Sequence, residues 1–129
     1  MDENTKKEKK VLYEFGLQTL DNLKAAKDAL NADLFGGSFL TKMKHNSNRK
    51  KADSAIEQAK IDLLMFSKEV NEINKKIYIR YDEEDYLKIA QKFFESSVKD
   101  LLTEEHLKDC KHMINSAIYY TEVIVAELK

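Results

Sequence analysis

The sequence predicts an all-α fold, a four-helix up-and-down antiparallel bundle with a short extra helical turn in the first connection. Three observations predict it. The 129 residues contain no Pro and only three Gly, so helix breakers are scarce. Charged residues make up 35% of the chain, against about 25% in an average domain, which is how long helices with solvated outer faces read. Apolar residues recur at steps of three and four in four separate stretches, stacking on one face of each. The length suits one domain spanning 1–129. Such a chain buries roughly two-thirds of its unfolded surface and can fold without disulfides or metal.

The first helix is expected from about Thr5 to Ala32, with Leu12, Phe15, Thr19, Leu23, Ala26 and Leu30 on its inner face. Gly16 falls on the same stripe. A mid-helix Gly costs about 1 kcal/mol relative to Ala, so a close approach by a neighbouring helix is expected there. The run Asp33-Leu34-Phe35-Gly36-Gly37-Ser38 reads as a break, because Gly tolerates the positive φ of helix ends. Ser38 can then cap a short turn through Phe39, Leu40 and Met43. The polar stretch His45-Asn46-Ser47-Asn48 reads as a loop.

The second helix, about Arg49 to Ile77, has the clearest period. Ala52, Ile56, Ala59, Leu63, Phe66, Val70, Ile73 and Ile77 alternate steps of four and three, a heptad seam. With other amphipathic helices in the chain, an intramolecular bundle is expected rather than a coiled coil between chains. Ile77 to Tyr81 alternates like a strand but has no partner strand, so it reads as a frayed helix end plus a linker.

Asp82 is the expected cap of the third helix, with Glu83, Glu84 and Asp85 in the first turn, where the helix dipole favours acids. Its inner stripe is Leu87, Ala90, Phe94, Ser97, Val98 and Leu101, widened by Tyr86 and Phe93. Thr103 is the expected cap of the fourth helix, whose seam is Leu107, Cys110, Ile114, Ala117, Thr121, Ile124 and Leu128, flanked by Met113, Ile118 and Val125. The turn between these two helices is expected to be very short, which sets them antiparallel.

The formal net charge of −1 points to no nucleic-acid or membrane partner through bulk charge. Cys110 is the single cysteine and cannot form an intramolecular disulfide, which fits a reducing compartment. The charged first ten residues precede no apolar stretch, so a signal peptide is not expected. No run approaches the roughly 18 apolar residues of a membrane span. A cytoplasmic setting is the expectation.

Bundles of this kind hold di-metal centres when two helices each carry Glu-x-x-His. Only Asp109/His112 comes near that pattern, and it occurs once. His106 and Cys110 share a helix face, but zinc needs three or four ligands. Cys110 reads as a small core hydrophobe. No nucleophile elbow or phosphate loop is present. Catalytic residues, metal and cofactor are therefore expected to be none.

The connection between the first two helices is the most suggestive segment. Gly36, Gly37 and Ser38 precede a helical turn and are followed by Lys42, Lys44 and His45, then Arg49, Lys50 and Lys51. Free backbone N–H groups beside basic side chains suit a phosphate-type anion. A solvated loop balancing the acids at Asp82–Asp85 explains the same charges. Aromatics are not interleaved among them, which disfavours single-stranded nucleic acid. Phe35, Phe39, Leu40 and Met43 need burial, either plugging the bundle end or forming a partner surface. Tyr119 and Tyr120, with Tyr78 and Tyr81, suit the rim of a groove or dimer contact.

The run Leu23 to Leu30, the turn Leu34-Phe35-Gly36-Gly37-Ser38-Phe39-Leu40, Met43-Lys44-His45 and the amphipathic Ala52 to Ile73 together resemble a family of small uncharacterised helical-bundle proteins of Gram-positive bacteria. The likeness covers about Leu20 to Ile73. Ser38 stands where that family usually has a third glycine, and no Trp precedes the turn. The resemblance implies an up-and-down bundle and a cytoplasmic setting, and carries over no catalytic residue. Two functions follow as expectations. One is a non-catalytic interaction module, with a homodimer or a helical protein as partner. The alternative is a binder of small anionic ligands at Gly36-Gly37.

Overall fold

A computed structural model of the chain describes residues 2–31, 47–96 and 104–129. It is an all-α four-helix bundle: α1 (Glu3–Asn31), α2 (Ser47–Ile73), α3 (Glu83–Glu95) and α4 (Glu104–Leu128), with no strand among the described residues. Each helix packs on its chain neighbours and α4 closes onto α1, giving a ring in chain order around one core. Along α1 and α2 the numbering runs in opposite senses. Glu8 pairs with Lys76, Gly16 meets Phe66, and Gln18 and Asn22 reach Asp62.

The expected seams are the buried faces. From α1 come Leu12, Thr19, Leu23, Ala26 and Leu30, with Phe15 half-buried. From α2 come Ile56, Ala59, Leu63, Phe66, Val70 and Ile73, and from α4 Cys110, Ile114, Ala117, Thr121, Ile124 and Leu128. The side chains of Ala52 and Leu107 lie outside the described residues, as do the cap Thr103 and the extra turn at Ser38–Met43. Gly16 is the close approach its position predicts. A Cβ there would stand 2.7 Å from Val125 Cγ2 and 2.9 Å from Phe66 Cζ, so α2 and α4 both press on α1 at this point.

Several boundaries differ from the expected ones. Asp2 accepts a hydrogen bond from the Thr5 amide at 2.7 Å, which starts α1 at Glu3 and holds the Asp2 carboxyl below its ordinary pKa. α2 begins at Ser47, two residues before the expected Arg49. It ends at Ile73, four residues early. Asn74 Oδ1 accepts the Ile79 amide at 2.8 Å and draws the chain into the linker, whose Ile79 is buried in the core.

Asp82 caps α3 as expected, accepting the Asp85 amide at 3.0 Å. The inner stripe of α3 needs correction. Tyr86, Ala90 and Phe93 are buried, Leu87 is half-buried and Phe94 is 45% exposed. The helix is turned by about one residue to seat its two larger buried rings, and Tyr86 finds a buried partner for its hydroxyl in Thr121 at 2.8 Å. α3 also stops at Glu95. Ser96 is extended, at φ −67° and ψ 144°, and its hydroxyl donates to the Phe93 carbonyl at 2.7 Å. Ser97, Val98 and Leu101 lie outside the described residues, as does most of the connection to α4, expected to be a very short turn.

Candidate functional site

The expected ligand residues Gly36, Gly37, Ser38, Lys42, Lys44 and His45, and the expected interface residues Phe35, Phe39, Leu40 and Met43, all lie outside the described residues. So does the His106 side chain. His112 is exposed on α4. Cys110 is buried, and burial pushes its thiol up to about 11, which suits a packing role. Among the described residues no three His, Cys, Asp or Glu side chains group as metal ligands would.

Two buried polar groups flank the α2 seam. Lys60, 2% exposed, donates to the Ser96 carbonyl. Its ammonium lies 3.3 Å from Glu57 Oε1 and 5.9 Å from the Phe93 ring centroid. A cation at the C-terminus of α3 meets the negative end of that helix dipole, so Lys60 ties α2 to α3. Asp62 is buried between α1 and α2 and accepts from Gln58 at 2.9 Å, from Gln18 at 3.4 Å and from Asn22. Both side chains are engaged in joining helices.

The surface feature with the most chemistry lies where α3 begins and α4 ends. Four tyrosine rings meet edge to face: Tyr81–Tyr86 at 5.9 Å, Tyr86–Tyr120 at 6.0 Å and Tyr120–Tyr119 at 5.8 Å between centroids. Tyr86 is fully buried, and burial drives its phenol pKa well up. The Tyr120 hydroxyl donates to Asp85 Oδ2 at 2.6 Å, and that bond to a carboxylate raises the phenol to about 12. Burial raises Tyr81 to about 12, and its buried hydroxyl has no hydrogen-bond partner among the described residues. Tyr119, at the end of the series, is 66% exposed, and Tyr78 in the preceding linker is 82% exposed. Of the four tyrosines singled out in the sequence, Tyr81, Tyr119 and Tyr120 belong to this series, linked through Tyr86, and Tyr78 does not. Glu83 and Glu84 begin α3 beside them.

Two grooves with apolar floors flank α1 among the described residues. One, about 400 Å³, lies against α2 with Leu12, Val11 and Ile73 as its floor and Lys7, Glu8, Glu69, Glu72 and Lys76 around it. The other, about 380 Å³, lies against the end of α4 and is lined by Lys6, Lys9, Lys10, Tyr13, Leu128 and Lys129. Four lysine side chains stand around the apolar floor of this second groove. Sequence reasoning missed it because its two walls are more than a hundred residues apart. In comparison with known proteins, the chain matches no family model, no curated protein and no solved structure. No helix among the described residues is long and apolar enough to cross a membrane.

Proposed function

We propose that the protein is a non-catalytic interaction module, a helical bundle that self-associates or docks a helical protein partner. The observation that carries this reading is the exposure of Tyr78 and Tyr119, at 82% and 66%, at the acidic end where α3 starts. Tyrosine is favoured at the centres of protein interfaces because it brings a large rigid ring with a polar tip. Phe35, Phe39, Leu40 and Met43, in the connection between α1 and α2, are proposed from the sequence as a second contact surface. An up-and-down course for all four helices, supported by the opposed α1/α2 pairing, would keep the tyrosine end on one side of the assembly. A cytoplasmic setting and kinship with helical-bundle proteins of Gram-positive bacteria accompany the reading and rest on the sequence.

Light scattering of the folded chain, together with its use as bait for purified candidate partners, tests the proposal. A mass above one chain or a saturable complex supports it. A strict monomer that captures nothing refutes it. The alternative, a phosphate-type ligand at Gly36-Gly37 with Lys42 and Lys44, is supported by sequence alone. A thermal shift with inorganic phosphate supports it, and no shift removes it.

A further inference from the structure

We infer that the α1/α4 groove is a docking surface for an acidic amphipathic helix of another protein. The inference rests on the interaction reading and names a surface and a partner chemistry for it. Lys6, Lys10, Tyr13 and Leu17 recur at steps of four and three along α1, so they stand in one line on one edge of that helix. Lys9 and Lys129 complete the rim of the groove, and Tyr13 and Leu128 form its floor. Leu17, 43% exposed, continues the apolar strip one turn beyond Tyr13.

The two edges of α1 differ in charge. On the α2 side, Lys7 and Lys76 share their groove with Glu8, Glu69 and Glu72, and Lys76 pairs with Glu8 at 3.0 Å. On the α4 side no Asp or Glu side chain lines the groove. None of its four lysines is in an ion pair among the described residues. The whole chain carries a net charge of −1, so this excess of cations is local. A partner that brings carboxylates to the rim while covering the floor complements both features.

Shape selects a helix over a lipid surface. The lysines are long side chains that stand around the groove, and Leu128 beneath them is 3% exposed. A flat bilayer would meet the lysine ends and leave the floor uncovered. A helix lying in the groove lowers apolar side chains onto Tyr13 and Leu128, the usual way an amphipathic helix docks between two others. Lys6 and Lys10 are about 6 Å apart along α1, one helical turn. Carboxylates at i and i+4 of a partner helix have that same spacing. The partner therefore carries Leu or Phe at steps of three and four, with Glu or Asp flanking them.

The test pans a displayed library of random peptides about 16 residues long, about 24 Å as a helix, against the folded chain. The expected winners have a net negative charge and apolar residues at helical spacing, and gain helicity on binding by circular dichroism. Their NMR shift changes should concentrate on Lys6, Lys9, Lys10, Tyr13 and Lys129. Their Kd should weaken about tenfold or more between low and high salt, and by a similar factor in the variant Lys6→Glu, Lys9→Glu, Lys10→Glu. Replacing the peptide's acids by lysine should restore binding to that variant. If the reversed variant fails to fold, Lys→Gln at the same three positions takes its place, and the shift map on the parent chain stands as the independent readout. No enrichment, or winners without an acidic excess, overturns the inference, and the interaction reading then rests on self-association measured by light scattering. Winners that map onto Tyr78 and Tyr119 overturn this surface and support the interaction reading at the tyrosine end. Binding to phosphatidylserine vesicles that is lost in the reversed variant, with no peptide enriched, overturns the choice of a helix as occupant.

Discussion

Replacing Gly16 by Ala sets two known effects against each other. Helix propensity favours the change by about 1 kcal/mol, since Gly in a helix interior is that much worse than Ala. Packing opposes it. The new Cβ would stand 2.7 Å from Val125 Cγ2 and 2.9 Å from Phe66 Cζ. Neither atom yields easily: Val125 is branched at Cβ, and the fully buried Phe66 ring packs edge-on against Phe15 at 5.7 Å. Overfilling a packed core by one carbon costs typically 1–3 kcal/mol. Packing therefore wins, and Gly16→Ala should lose about 1 kcal/mol net, or about 3–5 °C in Tm for a chain of this size. Urea melts followed at 222 nm measure it. The same substitution in a Val125→Ala background should cost about nothing, because one of the two obstructing groups is gone; residues in contact couple by about 0.5–3 kcal/mol. A Gly16→Ala chain that is more stable than the parent by the full propensity gain would refute the close approach of α2 and α4.

Other expected outcomes follow from the buried polar groups. Tyr86→Phe leaves the buried Thr121 hydroxyl without its partner and should cost about 1–3 kcal/mol in urea melts. Asp62→Ala removes the acceptor shared by Gln18, Asn22 and Gln58; the exposed Gln18 and Gln58 amides turn to water, so the cost should be about 1 kcal/mol, the net worth of a hydrogen bond at half-buried Asn22; an unchanged melt would deny the cluster any role. With its thiol raised to about 11, Cys110 is ionised in about one molecule in a thousand at pH 8. A thiol reagent should label it far more slowly in the native state than in urea. Tyr81 and Tyr120 titrate near 12 when folded and near 10 when unfolded, so the unfolded chain releases these protons first. Their stabilisation is present in full below about pH 10 and is lost as pH rises toward 12. Denaturation midpoints that stay flat across that window would contradict these environments.

The seams of α1, α2 and α4 are legible in the sequence because each helix is long and buries a single stripe, so one phase fits the period. α3 has only 13 residues and offers two overlapping stripes, Leu87/Ala90/Phe94 and Tyr86/Ala90/Phe93. Hydrophobicity favours the first. The second is buried because the Tyr86 hydroxyl meets Thr121, a contact between helices that no local pattern encodes. The stops at Asn74 and Ser96 were likewise hidden, since each depends on one side-chain hydrogen bond. Buried Lys60 and Asp62 adjoin the seam residues Ala59 and Leu63 and look like solvated neighbours until α3 and α1 are placed against them. The tyrosines could be singled out in advance as wet apolar rings. The lysine groove could not, because half of it comes from the first turns of the chain and half from its last residues.

The Asp62 cluster has a consequence for how many structures the sequence permits. Apolar seams repeat, so α1 shifted along α2 by one helical turn, about 5.4 Å, would still place aliphatic side chains against aliphatic side chains. The carboxylate is not degenerate in this way. Gln18 and Asn22 stand one turn apart, so the same shift leaves at most one of them within its reach, and the carboxylate keeps the Gln58 amide of its own helix but loses a bond from α1. One acidic side chain and its amides thereby disfavour the slipped arrangements that the greasy contacts alone would tolerate, at about 1 kcal/mol for the bond lost.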